Sequence, residues 1–137
     1  MNKEQTNVYH FVKDVVRYAY INKYEMRDFV LAFFHSEHFL TIINYYDIIY
    51  YSPYNIYRYI VQKYDVKKNE DGKEYDLVVI NYICYIYLAF CFKTYESFKL
   101  ITKMLPFDDI VNYYEQYHTL ADERVIFKAK IDRKSVV

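Results

Sequence analysis

The chain has 137 residues, about the size of one domain, and its 18 basic and 18 acidic side chains give a formal net charge of zero. Such a chain has no overall field to attract nucleic acid or an anionic membrane, so we expect neither as a partner. A hydrophobic content of 54%, with one glycine and two prolines, excludes a disordered chain and disfavours a turn-rich β-sandwich or barrel. The composition therefore favours helices joined by few breakers.

The first predicted element is an amphipathic helix in the stretch NVYHFVKDVVRYAYINKY. Its polar side carries Lys13, Asp14 and Arg17. Its apolar residues recur at helical spacing and should face the core: Val8, Phe11, Val12, Val15, Val16 and Ala19. A second helix should contain Met26, Phe29, Val30 and Phe33, and a third should contain Phe39, Ile42, Ile43 and Tyr46.

Ser52 followed by Pro53 predicts an N-cap and a first helical position, opening a fourth helix in YNIYRYIVQKY. The polar run that starts at Asp65 contains the single glycine and interrupts the periodicity, so residues 65–75 are predicted to be a linker. After it come a long apolar helix from Leu77, a shorter helix in ESFKLITKML, a break at Pro106, a helix in FDDIVNYYEQYHTL and a closing segment ADERVIFKAKI.

The two halves of the chain resemble each other. At an offset of 71 residues, Phe11, Val12, Val15, Val16, Phe29 and Val30 align with Tyr82, Ile83, Ile86, Tyr87, Leu100 and Ile101. At an offset of 68, Phe39, Ile42, Ile43, Asn44, Tyr45, Tyr46 and Asp47 align with Phe107, Ile110, Val111, Asn112, Tyr113, Tyr114 and Glu115. Two diverged copies of one helical unit explain these matches, and the alternative is a Tyr- and Ile-rich composition that matches itself.

The apolar run from Leu77 to Phe92 has 16 residues, fewer than the roughly 20 that span a bilayer. We interpret it as a buried central helix, with an interfacial or membrane helix as the alternative. Cys84 and Cys91 are seven positions apart, too far along a helix for a disulfide, and indicate buried thiols in a reducing compartment. The polar start of the chain has no secretory signal pattern, so a cytoplasmic location is expected.

Candidate chemical groups are few. His35 and His38, with Glu37 between them, have the spacing of two metal ligands on one helix, but no third ligand is indicated, and we interpret them as solvated histidines at a helix end. His118 and Glu115 have the spacing of a base and an orienting acid, but we interpret His118 as a histidine that the dipole favours at a helix C-terminus. One glycine cannot build a phosphate-binding loop. We therefore predict no catalytic residue, no metal and no cofactor.

The stretch FDDIVNYYEQYHTL and the segment after it resemble an uncharacterised family of small bacterial helical domains. The signature of that family is a tyrosine and an acid followed by a His-Thr pair, matched here by Tyr114, Glu115, His118 and Thr119. The first half departs from it, with Tyr50 and Tyr51 at the His-Thr positions. Such domains are often encoded near an ADP-ribosyltransferase-like protein, so the resemblance implies an antitoxin-like or regulatory binding role.

These observations predict one all-α domain, a compact helical bundle of two pseudo-repeated three- or four-helix units at 7–64 and 76–131. The predicted function is a non-catalytic protein-binding module that inhibits or regulates a partner protein, either antitoxin-like or a virus-encoded anti-defence inhibitor. A homo-oligomeric structural or membrane-surface protein is the alternative, and a homodimer is compatible with both. The predicted partner-binding residues are Tyr45, Tyr46, Asp47, Tyr50, Tyr113, Tyr114, Glu115 and His118.

Overall fold

The computed structural model describes residues 1–45, 48, 51–70 and 75–117, without the side chains of residue 45 and residues 115–117. These residues form seven helices and no strand, which confirms the all-α class. The helices are α1 (Lys3–Ile21), α2 (Met26–Phe34), α3 (Glu37–Tyr45), α4 (Pro53–Lys63), α5 (Leu77–Thr94), α6 (Phe98–Met104) and α7 (Phe107–Tyr117). Backbone contacts divide the chain into two compact units, Met1–Ile80 and Asn81–Val137.

Helix α1 is the longest helix among the described residues and packs most extensively against α4. Asn2 begins it with a capping box, because the Asn2 side chain accepts from the Gln5 amide at 2.8 Å and the Gln5 side chain accepts from the Asn2 amide at 3.0 Å. The buried face consists of the six residues predicted from the periodicity: Val8, Phe11, Val12, Val15, Val16 and Ala19. Lys23 then reverses the chain direction with a positive φ of 63°.

The break between α2 and α3 is made by Ser36, a fully buried residue. Its hydroxyl donates to the Phe33 carbonyl at 2.6 Å and accepts from the Phe39 amide at 3.2 Å, so one side chain ends α2 and caps α3. The rings of Phe33, Phe34 and Phe39 pack together across this turn, with centroids of Phe34 and Phe39 4.5 Å apart in an edge-to-face arrangement. The turn is thereby held by the core as well as by hydrogen bonds.

Helix α4 begins as predicted, with the Ser52 hydroxyl accepting from the Asn55 amide at 3.4 Å and Pro53 in the first turn. After α4, part of the predicted linker pairs with the α1–α2 connection. The Glu25 amide donates to the Lys67 carbonyl at 2.8 Å, and the Asn69 amide donates to the Lys23 carbonyl at 2.7 Å. These bonds give an isolated antiparallel bridge between Tyr24 and Lys68, so this segment is attached to the first unit.

Helix α5 is 18 residues long, two longer than the apolar run that predicted it. By length and by its mean hydropathy of 1.7 it could cross a membrane, but half of it is buried within the protein, and a core helix meets the same two criteria. Residues 86–92 of this helix are all buried, and both Cys84 and Cys91 are buried, as predicted.

In the second unit, α5 packs with α6 through Tyr87, which is completely buried. The Tyr87 hydroxyl donates to the Leu105 carbonyl at 3.0 Å, and its ring lies edge-to-face on Phe98 with centroids 5.0 Å apart. Pro106 separates α6 from α7, and Asp108 and Asp109 occupy the first turn of α7, where carboxylates favour the helix dipole. The predicted closing segment lies outside the described residues.

Candidate functional site

A cluster of tyrosines lies where α1 meets α4 in the first unit. The ring centroids of Tyr18 and Tyr54 are 5.3 Å apart, and both rings contact Tyr57 at 5.8 and 5.7 Å. Tyr57 is buried, and this burial, followed by the interaction with Tyr24, raises the pKa of its hydroxyl. Tyr57 thus anchors the cluster in the core, while Tyr18 and Tyr54 are 40% and 45% exposed.

Beside these tyrosines is a cleft of about 400 Å³, which we call the tyrosine cleft. It is lined by Asp14, Arg17, Tyr18, Ile21 and Pro53. Ile21 is 58% exposed, although an aliphatic side chain of this size favours burial. The cleft therefore presents apolar surface to solvent next to one acidic and one basic group.

The two charges of the tyrosine cleft lie one turn apart on α1. Neither Asp14 nor Arg17 forms an ion pair with any residue in the part of the chain that the structure describes. Both residues are exposed, so their charged groups are open to solvent and to an incoming molecule. Together with the exposed Ile21 and Tyr18, they make the cleft a surface of mixed apolar and charged character.

A second group of polar side chains joins α3 to α4. The Tyr59 hydroxyl donates to the Glu37 carboxylate at 3.1 Å, and the Tyr59 ring meets the His38 ring edge-to-face with centroids 4.4 Å apart. Lys63 lies with its Nζ 5.8 Å from the centre of the Tyr59 ring. The hydrogen bond with Tyr59, with Glu37 contributing, raises the pKa of Lys63, so this ammonium stays protonated at neutral pH.

The two histidines of the HSEH stretch have different environments. His35 is exposed at the end of α2, where its Nδ1 lies 2.7 Å from the Leu31 carbonyl. His38 is half-buried by its contact with Tyr59, which differs from the solvated histidine that the sequence suggested. The cause is tertiary, because Tyr59 comes from α4. Among the described residues, no three His, Cys, Asp or Glu side chains come together in a group that could hold a metal ion.

Most of the predicted partner-binding residues lie where the structure describes no side chain. Tyr46, Asp47, Tyr50 and His118 are outside the described residues, while Tyr45 and Glu115 are described only as part of α3 and α7. The remaining two, Tyr113 and Tyr114, are half-buried on α7. The Tyr114 ring lies edge-to-face on Tyr82 of α5, with centroids 5.3 Å apart.

Two buried polar atoms of α5 have no hydrogen-bond partner among the described residues: the Asn81 Oδ1 and the Tyr82 hydroxyl. Burial, followed by the interaction with Tyr114, raises the pKa of Tyr82 to about 12. Burial also raises the pKa of Cys91 to about 12, and the pKa of Cys84 is raised further by complete burial. Both thiols are therefore protonated and unreactive at neutral pH, which fits a packing role.

Sequence reasoning missed the tyrosine cleft, although α1 carried a signal for it. Tyr18 and Ile21 are large apolar residues that fall outside the buried stripe of α1, on the side that carries Asp14 and Arg17. Apolar residues at such positions on an amphipathic helix mark either a second packing partner or exposed apolar surface. The contribution of Pro53 from α4 could not be read from this helix alone.

Compared with models of known protein families, with curated proteins and with solved structures, the chain shows no significant match.

Proposed function

We propose that this protein is a non-catalytic, cytoplasmic protein-binding module that inhibits or regulates a partner protein, and that it binds through the tyrosine cleft. The observation that carries the proposal is the exposure of Tyr18, Ile21 and Tyr54 beside Asp14 and Arg17, whose charges form no ion pair with the described residues. The proposed biological role is an antitoxin-like or virus-encoded anti-defence inhibitor. That role follows the resemblance of Tyr114 and the residues after it to the small helical family.

The exposed tyrosines have a residue type that is typical of binding sites between proteins. Tyrosine is enriched among the residues that dominate binding energy, because its ring offers a large contact area with few rotatable bonds. Beside the tyrosine cleft, Tyr57 fixes Tyr18 and Tyr54 through ring contacts, so these two rings lose little freedom when a partner covers them. The charges of Asp14 and Arg17 would orient the partner. A cleft of this kind needs no reactive group to act.

The residues that the sequence predicted to bind a partner are proposed as further contact residues, each within its own unit. Tyr113 and Tyr114 are half-buried, so each keeps some surface that a partner could contact. Tyr114 is held by an edge-to-face contact with Tyr82, and Tyr18 is held by a stacked contact with Tyr57. We keep Tyr45, Tyr46, Asp47, Tyr50, Glu115 and His118 in this proposal.

We further propose that the fold arose by duplication of one helical unit. Helices α1, α2 and α3 have 19, 9 and 9 residues, and helices α5, α6 and α7, in the same order, have 18, 7 and 11. A residue with positive φ follows the long helix in each half, Lys23 after α1 and Tyr95 after α5. Such residues are uncommon outside glycine, so their occurrence just after both long helices supports common ancestry of the two turns, with Tyr95 one position beyond the offset of 71.

Burial also supports the duplication. Six aligned pairs are buried in both halves: Val12 and Ile83, Val15 and Ile86, Val16 and Tyr87, Val30 and Ile101, Phe39 and Phe107, and Ile42 and Ile110. Two aligned pairs differ, because Phe29 is fully buried whereas Leu100 is 41% exposed, and Phe11 is buried whereas Tyr82 is half-buried. The proposed units therefore share their main core positions and have diverged most at α2 and α6.

The binding proposal is tested by affinity capture with the tagged protein from its native host. Ile21→Asp places a charge in the tyrosine cleft, and Val78→Asp is its matched control, since the two aliphatic side chains are 58% and 59% exposed. We expect Ile21→Asp to reduce the captured partner about tenfold or more. Val78→Asp should leave the captured amount unchanged. Equal capture by both variants and the unmodified chain would contradict binding at the cleft.

The alternative function, a homo-oligomeric structural or membrane-surface protein, is favoured by the length and hydropathy of α5. Sizing the purified protein with and without detergent separates the two functions. A particle size that detergent leaves unchanged supports the binding module. Detergent-dependent size, together with flotation on anionic vesicles, supports the membrane-surface protein.

A further inference from the structure

We propose that a second copy of this chain covers the tyrosine cleft when no other partner is bound, by pairing the two α1 helices antiparallel about a two-fold axis. The inference rests on the proposed function, because it takes the cleft to be a binding surface and names one occupant. Its basis is the self-complementary order of side chains along the exposed face of α1. Four positions of this face form the facing pairs: His10, Asp14, Arg17 and Ile21.

In a two-fold symmetric contact, if one residue faces another, the reverse pair also forms. An acid and a base one turn apart on the same helix satisfy this condition, since an antiparallel copy sets Asp14 against Arg17 and Arg17 against Asp14. Neither charge has an ion-pair partner among the described residues, so the dimer breaks no internal pair at these positions. The contact therefore contains two copies of one ion pair.

The same register matches the neighbouring positions. Ile21 lies opposite His10 of the second copy. The exposed aliphatic side chain would therefore pack against the imidazole ring and be removed from water.

Net charge does not oppose this association. The chain has 18 basic and 18 acidic side chains, so two copies do not repel each other as highly charged molecules do. The patch itself is balanced by Asp14 and Arg17. A dimer built on this patch would cover Tyr18 and Ile21, so self-association and partner binding would compete for the same surface.

The test is a charge-swap series measured by sedimentation equilibrium over about 1 µM to about 1 mM protein. The unmodified chain should form a dimer. Asp14→Arg and Arg17→Asp each place like charges opposite one another twice in the dimer, so each should weaken it about tenfold or more. The double variant restores opposite charges in the reversed order and should return the dissociation constant to within about threefold of the unmodified chain.

Lys99→Glu is the control for net charge, because Lys99 is exposed on α6 and its substitution lowers the net charge by as much as Arg17→Asp does. It should leave the dimer unchanged, and circular dichroism should show the same helix content in every variant. A monomer at all concentrations overturns the inference, as does a double variant that remains as weak as the single ones. Either result leaves the capture experiment intact, because the loss of a captured partner in Ile21→Asp measures the proposed function separately.

Discussion

Two tyrosines of α5 allow the same substitution to be compared in opposite hydrogen-bonding states. The Tyr87 hydroxyl donates to the Leu105 carbonyl at 3.0 Å inside the second unit, whereas the buried Tyr82 hydroxyl has no partner among the described residues. Tyr87→Phe and Tyr82→Phe each remove a single oxygen atom from a ring on the same helix. Packing changes are therefore small in both, and the hydrogen bond is the main difference.

The two substitutions should differ in their effect on the free energy of unfolding. Tyr87→Phe removes a buried hydrogen bond and leaves the Leu105 carbonyl without this donor, so it should lower the free energy of unfolding by about 1–3 kcal/mol. Tyr82→Phe removes a buried hydroxyl that lost its hydration without gaining a partner. It should leave the free energy of unfolding unchanged or raise it by up to about 1 kcal/mol.

Urea unfolding followed by circular dichroism measures this difference directly. The unfolding midpoint should fall for Tyr87→Phe and stay constant or rise for Tyr82→Phe, with similar dependence on urea concentration in all three proteins. If Tyr82→Phe loses as much stability as Tyr87→Phe, the Tyr82 hydroxyl has a partner in solution, and the reasoning from its burial is wrong.

Three further predictions concern titration, thiols and capping. Folding raises the pKa of Tyr82 from 10.0 to about 12. The stability that this raised pKa contributes is therefore complete below about pH 10 and is lost as the pH rises toward 12. Over this pH range, Tyr82→Phe should lose less stability than the unmodified chain. Cys84 and Cys91 should react with Ellman's reagent only after unfolding, and rapid reaction of the folded protein would contradict their burial. Ser52→Ala should lower the free energy of unfolding by about 1 kcal/mol in urea titrations, because the Asn55 amide loses its cap; an unchanged midpoint would show that the cap is not formed.

The helices and their buried faces could be predicted because they depend on local spacing. The six buried residues of α1 recur at the period of the helix, and Ser52 with Pro53 marks the start of α4 by chemistry confined to adjacent residues. The end of α2 was harder to predict. Ser36 makes that break by capping α3 while its side chain is buried, and its burial depends on the packing around it.

The sequence by itself determined the all-α class, the order of the helices and the apolar face of α1, because periodicity and capping act within a few residues along the chain. Only the tertiary structure decided which tyrosines are buried and which are exposed. A tyrosine has both an apolar ring and a polar hydroxyl, so its residue type is compatible with either place. Tyr57 and Tyr87 are buried while Tyr18 and Tyr54 line or flank the cleft, because the contacts that cover or expose each ring come from other helices.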